Sequence, residues 1–428
     1  MNMKPRIAIL APMSHWDHGY SHCSVVFDQF VMLKNHGYDV TFICLQRFKG
    51  KEDLEAQGVK VRDVLPIFTF KDYHLGAPVD ESFEKNAQDV QDVLEKELKD
   101  FTHVITHDVI FQGWFLPYNV GLRRANVNVK WLHWIHSAPS LRPATLTYPY
   151  DHLYSIRRNE RLVYLNDVDR IRVAEMYGIF PDDVHVVPNS IDPRTFWDLH
   201  PLTSSLIEKY GLLNADVVAT YPLSSTRMHF EGSYADNISD GKNLMFAVRI
   251  MAEIKKLGYS VRYVVANAHA NAPKEKETIK QVQEHATTLG LSPNELIFTS
   301  LEMAPAFENG VPRRVVSELF RLSNVFLFPS ASENCSLVLL EAALSKNLIV
   351  LNESFLPLRA QLQSQAIYFK FGALHERLNY AEGYFADLAK IIMSALKKEQ
   401  SLNSFRKIAR EFNLDNIFRR YLEPLFFE

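Results

Sequence analysis

Residues 325–350 read VFLFPSASENCSLVLLEAALSKNLIV, and the fold is decided there. Val325, Phe326, Leu327 and Phe328 form an unbroken apolar run, as in a strand buried on both faces. Pro329, Ser330 and Ser332 mark a loop. From Ser336 onward Leu337, Leu340, Ala343 and Leu344 recur at helical spacing, and 348–351 is apolar again. Strand, loop, helix, strand is a parallel-sheet unit with a right-handed crossover expected. Glu333 falls in the loop and Glu341 on the helix. Both can therefore stand above the carboxyl ends of the strands, where open α/β sheets take ligands. The amides near Ser336 open a helix and so favour an anion. Carboxylates that accept sugar hydroxyls, beside an anion-binding helix start, suit a sugar nucleotide. An ordinary βαβ unit with solvated acidic residues fits the spacing equally.

The totals bound the rest. A chain of 428 residues is too long for one core and predicts two domains. Lys+Arg of 47 against Asp+Glu of 50 gives −3, which does not mark a nucleic-acid binder, although a local basic face fits inside that sum. Cys23, Cys44 and Cys335 are scattered without metal or disulfide spacing, so a reducing, cytoplasmic location is expected. The opening MNMKPRIAILAP reads as a first strand, its apolar run being too short for a signal peptide. No apolar run reaches the length of a membrane span.

Strands are expected at 6–11, 39–44, 61–68, 103–107, 128–136 and 161–166 in the first half. In the second half they are expected at 216–221, 262–267 and 296–299. Helices are expected at 24–37, 80–98, 243–257, 277–289, 312–322, 388–397 and 405–425. The loop after the first strand holds His15, Asp17, His18 and His22 within eight residues. Imidazole and carboxylate are metal ligands by type; the expected role is a polar lining of a sugar cleft, with no metal. His107 closes one strand and His136 another, while His133 belongs to the opposite face of its strand and is read as packing.

The segment FLFPSASENCSLVLLEAALSKNLIV resembles the E-x7-E region of retaining GT-B glycosyltransferases, above all glycosyltransferase family 4. Pro329, Ser330, Glu333, Glu341 and Ala342 match; Asn334-Cys335-Ser336 replaces the usual Gly-Phe-Gly. VHVVPNSIDPRTF at 184–196 resembles the family's V-x-P-N-G-I/V-D-x-x-x-F, with Ser190 for Gly. The loop after the first strand has one glycine, Gly19, where the family has a pair. The resemblance implies two doubly wound, Rossmann-like domains facing across a cleft, with the C-terminal helix crossing back to the first. The implied limits are 1–195 for the acceptor domain, 196–213 for a linker, 214–404 for the donor domain and 405–428 for the returning helix.

It also implies roles. Arg227 and Lys242 hold the donor diphosphate. Glu333 and Asn334 meet the donor sugar, Glu341 the ribose, and Ser336 and Leu337 the phosphate at the helix start. His136 orients the sugar, Gly19 lines the acceptor side, and the base lies against 300–303. The insert at 229–240 (HFEGSYADNISD) reads as a lid or as decoration. The implied reaction transfers a sugar from a nucleoside-diphosphate sugar with retained configuration and no metal. Trp114, Trp131, Trp134, Tyr148, Tyr150 and Tyr154 are rings on which sugars or bases stack, with Arg157, Arg158 and Arg161 beside them; a saccharide or lipid-linked acceptor is expected. A DNA base, peripheral contact with a membrane and a non-catalytic nucleotide-sugar binder are the alternatives.

Overall fold

The computed structural model describes residues 4–17, 19, 21–69, 71–74, 78–228, 242–302, 305–330, 336–353, 356–370, 380–381 and 383–427. It divides into two compact units, Met1–Asp192 with Glu411–Glu428, and Pro193–Arg410. Each unit is Rossmann-like: a parallel sheet with helices on both faces.

The first sheet contains β1 (Arg6–Leu10), β2 (Asp39–Leu45), β3 (Lys60–Leu65), β4 (His103–His107), β5 (Lys130–Trp134), β6 (Glu160–Tyr164) and β7 (Val184–Val186), in the order β3-β2-β1-β4-β5-β6-β7. Side chains alternate across a strand, and β1 shows the result. Ile7 and Ile9 enter one core, packed with the helix Ser21–Asn35. Ala8 and Leu10 enter the other, packed with Phe83–Glu97 and Leu116–Arg124. Both faces are covered, so these strands read as continuous apolar runs.

The second sheet contains β8 (Val217–Ser224), β9 (Val261–Ala268), β10 (Leu296–Phe298), β11 (Val325–Phe328), β12 (Leu348–Asn352) and β13 (Ile367–Phe369), in the order β10-β9-β8-β11-β12-β13. Both sheets wind outward from their first strand in one direction and then return to its other side. Loops leaving β1 and β4, or β8 and β11, therefore diverge and open a crevice at the strand ends.

The structure redraws three expected segments. The stretch 196–213 carries the helix Pro201–Tyr210, whose Leu202, Leu206 and Ile207 are buried against the second unit's own residues. Residues 405–425 are not one helix. The helix Gln400–Glu411 stops, Asn413 caps a new turn by accepting from the Asn416 amide at 2.9 Å, and short helical turns follow. These turns bury Leu414, Ile417, Phe418 and Leu422 in the first unit's core, where Phe418 stacks on His36 at 3.7 Å. The expected loop at 300–303 begins as a helical turn, Thr299–Glu302, because Ser300 is held by a buried amide described below.

Candidate functional site

In the second unit the crevice lies between the ends of β8 and β11. β8 ends at Ser224, and a 3-10 turn, Ser225–Arg227, carries Arg227 to the surface. Asn267, fully buried at the end of β9, fixes that turn. Its amide donates to Ser225 Oγ at 2.9 Å and Ser300 Oγ at 2.8 Å, and its oxygen accepts from the Ser300 N–H at 3.2 Å. One side chain thus ties together three chain segments behind Arg227.

Lys242 is set from the other side. Tyr221 donates its hydroxyl to the Lys242 carbonyl at 3.0 Å. Asn243 takes the left-handed backbone at φ 48°, a conformation Asn tolerates better than most residues, and donates to the Pro329 carbonyl at 2.9 Å. The Lys242 ammonium lies 5.8 Å over the Phe328 ring. Burial and then the Arg227 charge push its pKa down to about 8. Two cations close enough to disfavour one another's charge are a place where an anion is stabilised.

The loop after β11 leaves from a fixed root. Ser330 is buried and its carbonyl accepts from Asn352 Nδ2 at 3.3 Å. Glu333 and Asn334 lie outside the described residues. Ser336 caps the helix Leu337–Leu344, its Oγ accepting from the Leu339 N–H at 3.4 Å. Leu337 is 67% exposed at the helix start. Glu341, one turn on, is paired with the exposed Arg313 at 2.8 Å. Such a pair is worth about 0–1 kcal/mol, too little to withhold the carboxylate from a ligand.

In the first unit the crevice between β1 and β4 holds a cavity of about 210 Å³, lined by Met13, His15, Asp17, His22, His107, Asp108 and Trp114 among others. Three residues of the expected loop cluster, His15, Asp17 and His22, line this cavity with different partners. His15 Nδ1 meets Ser14 Oγ, Asp17 accepts from the Gly19 N–H at 2.8 Å, and His18 lies outside the described residues. His22 instead turns toward His107 and His136, with ring centres 5.2 and 4.7 Å away. His107 Nδ1 meets His136 Nε2 at 2.8 Å, and His107 Nε2 meets Gln29 Oε1 at 3.1 Å. Burial pushes all three histidines down: His22 to about 4, His136 to about 3 and His107 well below its usual value. All three are neutral at pH 7.

Asp108 takes φ 55° and accepts from the His136 backbone N–H at 2.8 Å, which aims the strand end of β5. Burial raises its pKa to about 6 against the pull of its hydrogen bonds. Gln29, Asp108 and Asn267 escaped sequence reading. Asp108 follows a strand-end histidine, and Gln29 is a polar residue inside an apolar helix stripe; both were available signals.

Two expectations are corrected. Trp131, Trp134 and Tyr150 are buried in the core and offer no stacking platform, whereas Trp114 does line the cavity. Arg157, Arg158 and Arg161 line a depression with Asp182 and Asp183 at the starting ends of β5 and β6, the opposite end of the sheet from His107. The insert 229–240 lies outside the described residues. No helix among the described residues is long and apolar enough to cross a membrane.

No family model matches the sequence, and no curated protein matches it. Among solved structures, a glycosyltransferase from Rickettsia africae ESF-5 is similar over 99% of this chain and 98% of its own, at 14% identity and a TM-score of 0.37. Anabaena HepE in complex with UDP is similar over 98% and 99%, at 14% identity and 0.34. A sucrose-phosphate synthase from Thermosynechococcus elongatus is similar over 99% and 98%, at 13% identity and 0.33.

Proposed function

We propose that this chain is a retaining glycosyltransferase of the GT-B type, which moves a sugar from a nucleoside-diphosphate sugar to an acceptor hydroxyl. The observation that carries the reading is the paired Arg227 and Lys242 at the end of β8, in the sheet whose neighbouring strand β11 leads toward the capped helix start at Ser336. Fixed cations and helix amides are what a departing diphosphate requires. The anomeric carbon–oxygen bond to the diphosphate breaks, and the acceptor oxygen bonds to the same face of that carbon. The acceptor proton passes to the leaving phosphate oxygen, so no side-chain base is assigned. Glu333 opposes positive charge at the anomeric carbon, Asn334 meets the sugar, and Glu341 holds ribose hydroxyls. Leu337 and Ser336 bring their backbone amides to the phosphate. Gly19 and His136 serve the sugar and acceptor side. This donor site uses side chains and amides, without a metal.

The acceptor we favour is a saccharide or lipid-linked glycan. A base in DNA is the second candidate, but the arginine run lies at the far end of the sheet from the histidines.

The test is release of nucleoside diphosphate from a panel of donors, alone and with saccharide, lipid-linked or DNA acceptors. Release from one donor, stimulated by one acceptor class and lost in Glu333→Ala, is expected. Donor binding with no release under any acceptor would replace the enzyme by a non-catalytic binder. No binding to any donor would sink both.

A further inference from the structure

Gln29, His107 and His136 form a continuous hydrogen-bonded chain inside the first unit. The rings of His107 and His136 are nearly parallel, at 20°, with centres 5.1 Å apart. Their nitrogens are 2.8 Å apart. The centre separation equals that contact plus one ring radius at each end, so both nitrogens lie on the line between the rings. This is an in-line N–H···N hydrogen bond with one proton in it.

That geometry bears on a metal. His22, His107 and His136 offer nitrogens within 4.8 Å of one another, a set that could ligate an ion. Two nitrogens on one tetrahedral zinc stand about 3.3 Å apart, with both lone pairs converging on an ion that lies off the line between them. Here the two nitrogens face each other at 2.8 Å, the separation of a hydrogen bond.

The direction of the chain follows from Gln29. This residue is 5% exposed in the apolar stripe of Ser21–Asn35, and it meets the fully buried His107 through its amide oxygen. An amide oxygen only accepts, so His107 carries its proton on Nε2. Neutral His107 then accepts at Nδ1, and His136 must donate from Nε2. The nitrogen left to His136 is Nδ1, as an acceptor.

We propose that Gln29 and His107 are positioning residues that hold His136 as a neutral imidazole protonated at Nε2, offering Nδ1 to a hydroxyl group of the ligand. A neutral acceptor takes a hydrogen-bond donor and disfavours phosphate or carboxylate. That this donor is a sugar hydroxyl rests on the glycosyltransferase reading; the tautomer rests on the geometry together with the burial that keeps both rings neutral.

The experiment is nitrogen NMR of the full-length protein labelled at histidine, without substrate. His107 and His136 are expected as Nε2–H tautomers, unchanged from pH 6 to 8. Gln29→Leu is expected to mix the tautomers of both rings and to lower kcat/KM about two- to threefold, as the competent tautomer falls to a fraction of the population. Gln29→Glu, which keeps an acceptor, is expected to restore the wild-type tautomers. An Nδ1–H tautomer at His136 in the wild type overturns the proposal. So does Gln29→Leu that leaves the His136 signals in place, or one equivalent of zinc that shifts all three histidines together. The wild-type spectrum keeps the test open if Gln29→Leu does not fold. Correct tautomers with no transfer to any acceptor would leave the chain standing and remove the glycosyltransferase reading.

Discussion

The two units place chemistry at the same topological point and equip it in opposite ways. At the end of β8 the second unit gathers charge: Arg227 beside Lys242, whose pKa has already been drawn down to about 8. At the end of β4 the first unit removes charge: three neutral histidines are tied to a buried amide, and Asp108 is raised to about 6. Charge is stabilised by fixed dipoles and opposite charge, and hydroxyls by neutral partners of fixed direction. One fold used twice therefore offers two kinds of site, one suited to an anion and one to uncharged hydroxyl groups.

This contrast sets the order of effects. Lys242→Ala or Arg227→Ala is expected to lower kcat/KM by about 100- to 1000-fold, the scale for removing a group that stabilises developing charge. His136→Ala is expected to cost less, at most about tenfold, because a neutral hydrogen bond is worth up to about 1.5 kcal/mol. Steady-state kinetics on the donor that the release panel selects checks both. A larger loss at His136 than at the cation pair would break the comparison.

The pH dependence sharpens it. Lys242 loses its proton near pH 8. Donor affinity is therefore expected to fall roughly five- to tenfold between pH 7.5 and 9 as the charged form disappears. Arg227→Ala removes a repelling charge, so the fall should begin at higher pH in that variant. A donor affinity flat across this range would show that Lys242 does not meet the anion. The histidine chain should contribute nothing in the same window, because burial holds His22 and His136 well below it.

The sequence made the second site more legible than the first. Continuous apolar runs at 325–328 and 348–351 could only be doubly covered strands, and the structure pairs them in parallel from Val325 with Leu348 to Phe328 with Leu351. Arg227 and Lys242 stand at strand and helix ends, where local pattern locates them. The first site is assembled from positions 22, 29, 107, 108 and 136, on one helix and at the ends of two strands. Periodicity shows Gln29 on a buried face but not its partner 78 residues away. The loop residues His15, Asp17 and His22 do line one cavity, but closeness in sequence did not show that His22 also packs its ring against the strand-end histidines. The aromatic platform failed because alternation along β5 sends Trp131 and Trp134 into the core.

The smallest expected effect tests whether the helix Ser21–Asn35 disfavours charge along its length or only at its histidine. Asp28, beside Gln29, is raised to about 7, first by burial and then by Asp192. An unfolded aspartate ionises near about 4. Between those values the unfolded chain has released a proton that the folded chain keeps, so stability falls as pH rises from 4 to 7 and the full cost is present above 7. Asp28→Asn removes the ionisable group and keeps its shape. It is expected to raise stability at pH 8 by about 1–2 kcal/mol, less than the full shift because Asp28 keeps some contact with solvent. Most of that gain should vanish near pH 4. Denaturant midpoints of the two proteins at both pH values decide it. A gain of equal size at both would trace the effect to packing, and a loss at pH 8 would mean that the charged form of Asp28 is the one the first unit is built to hold.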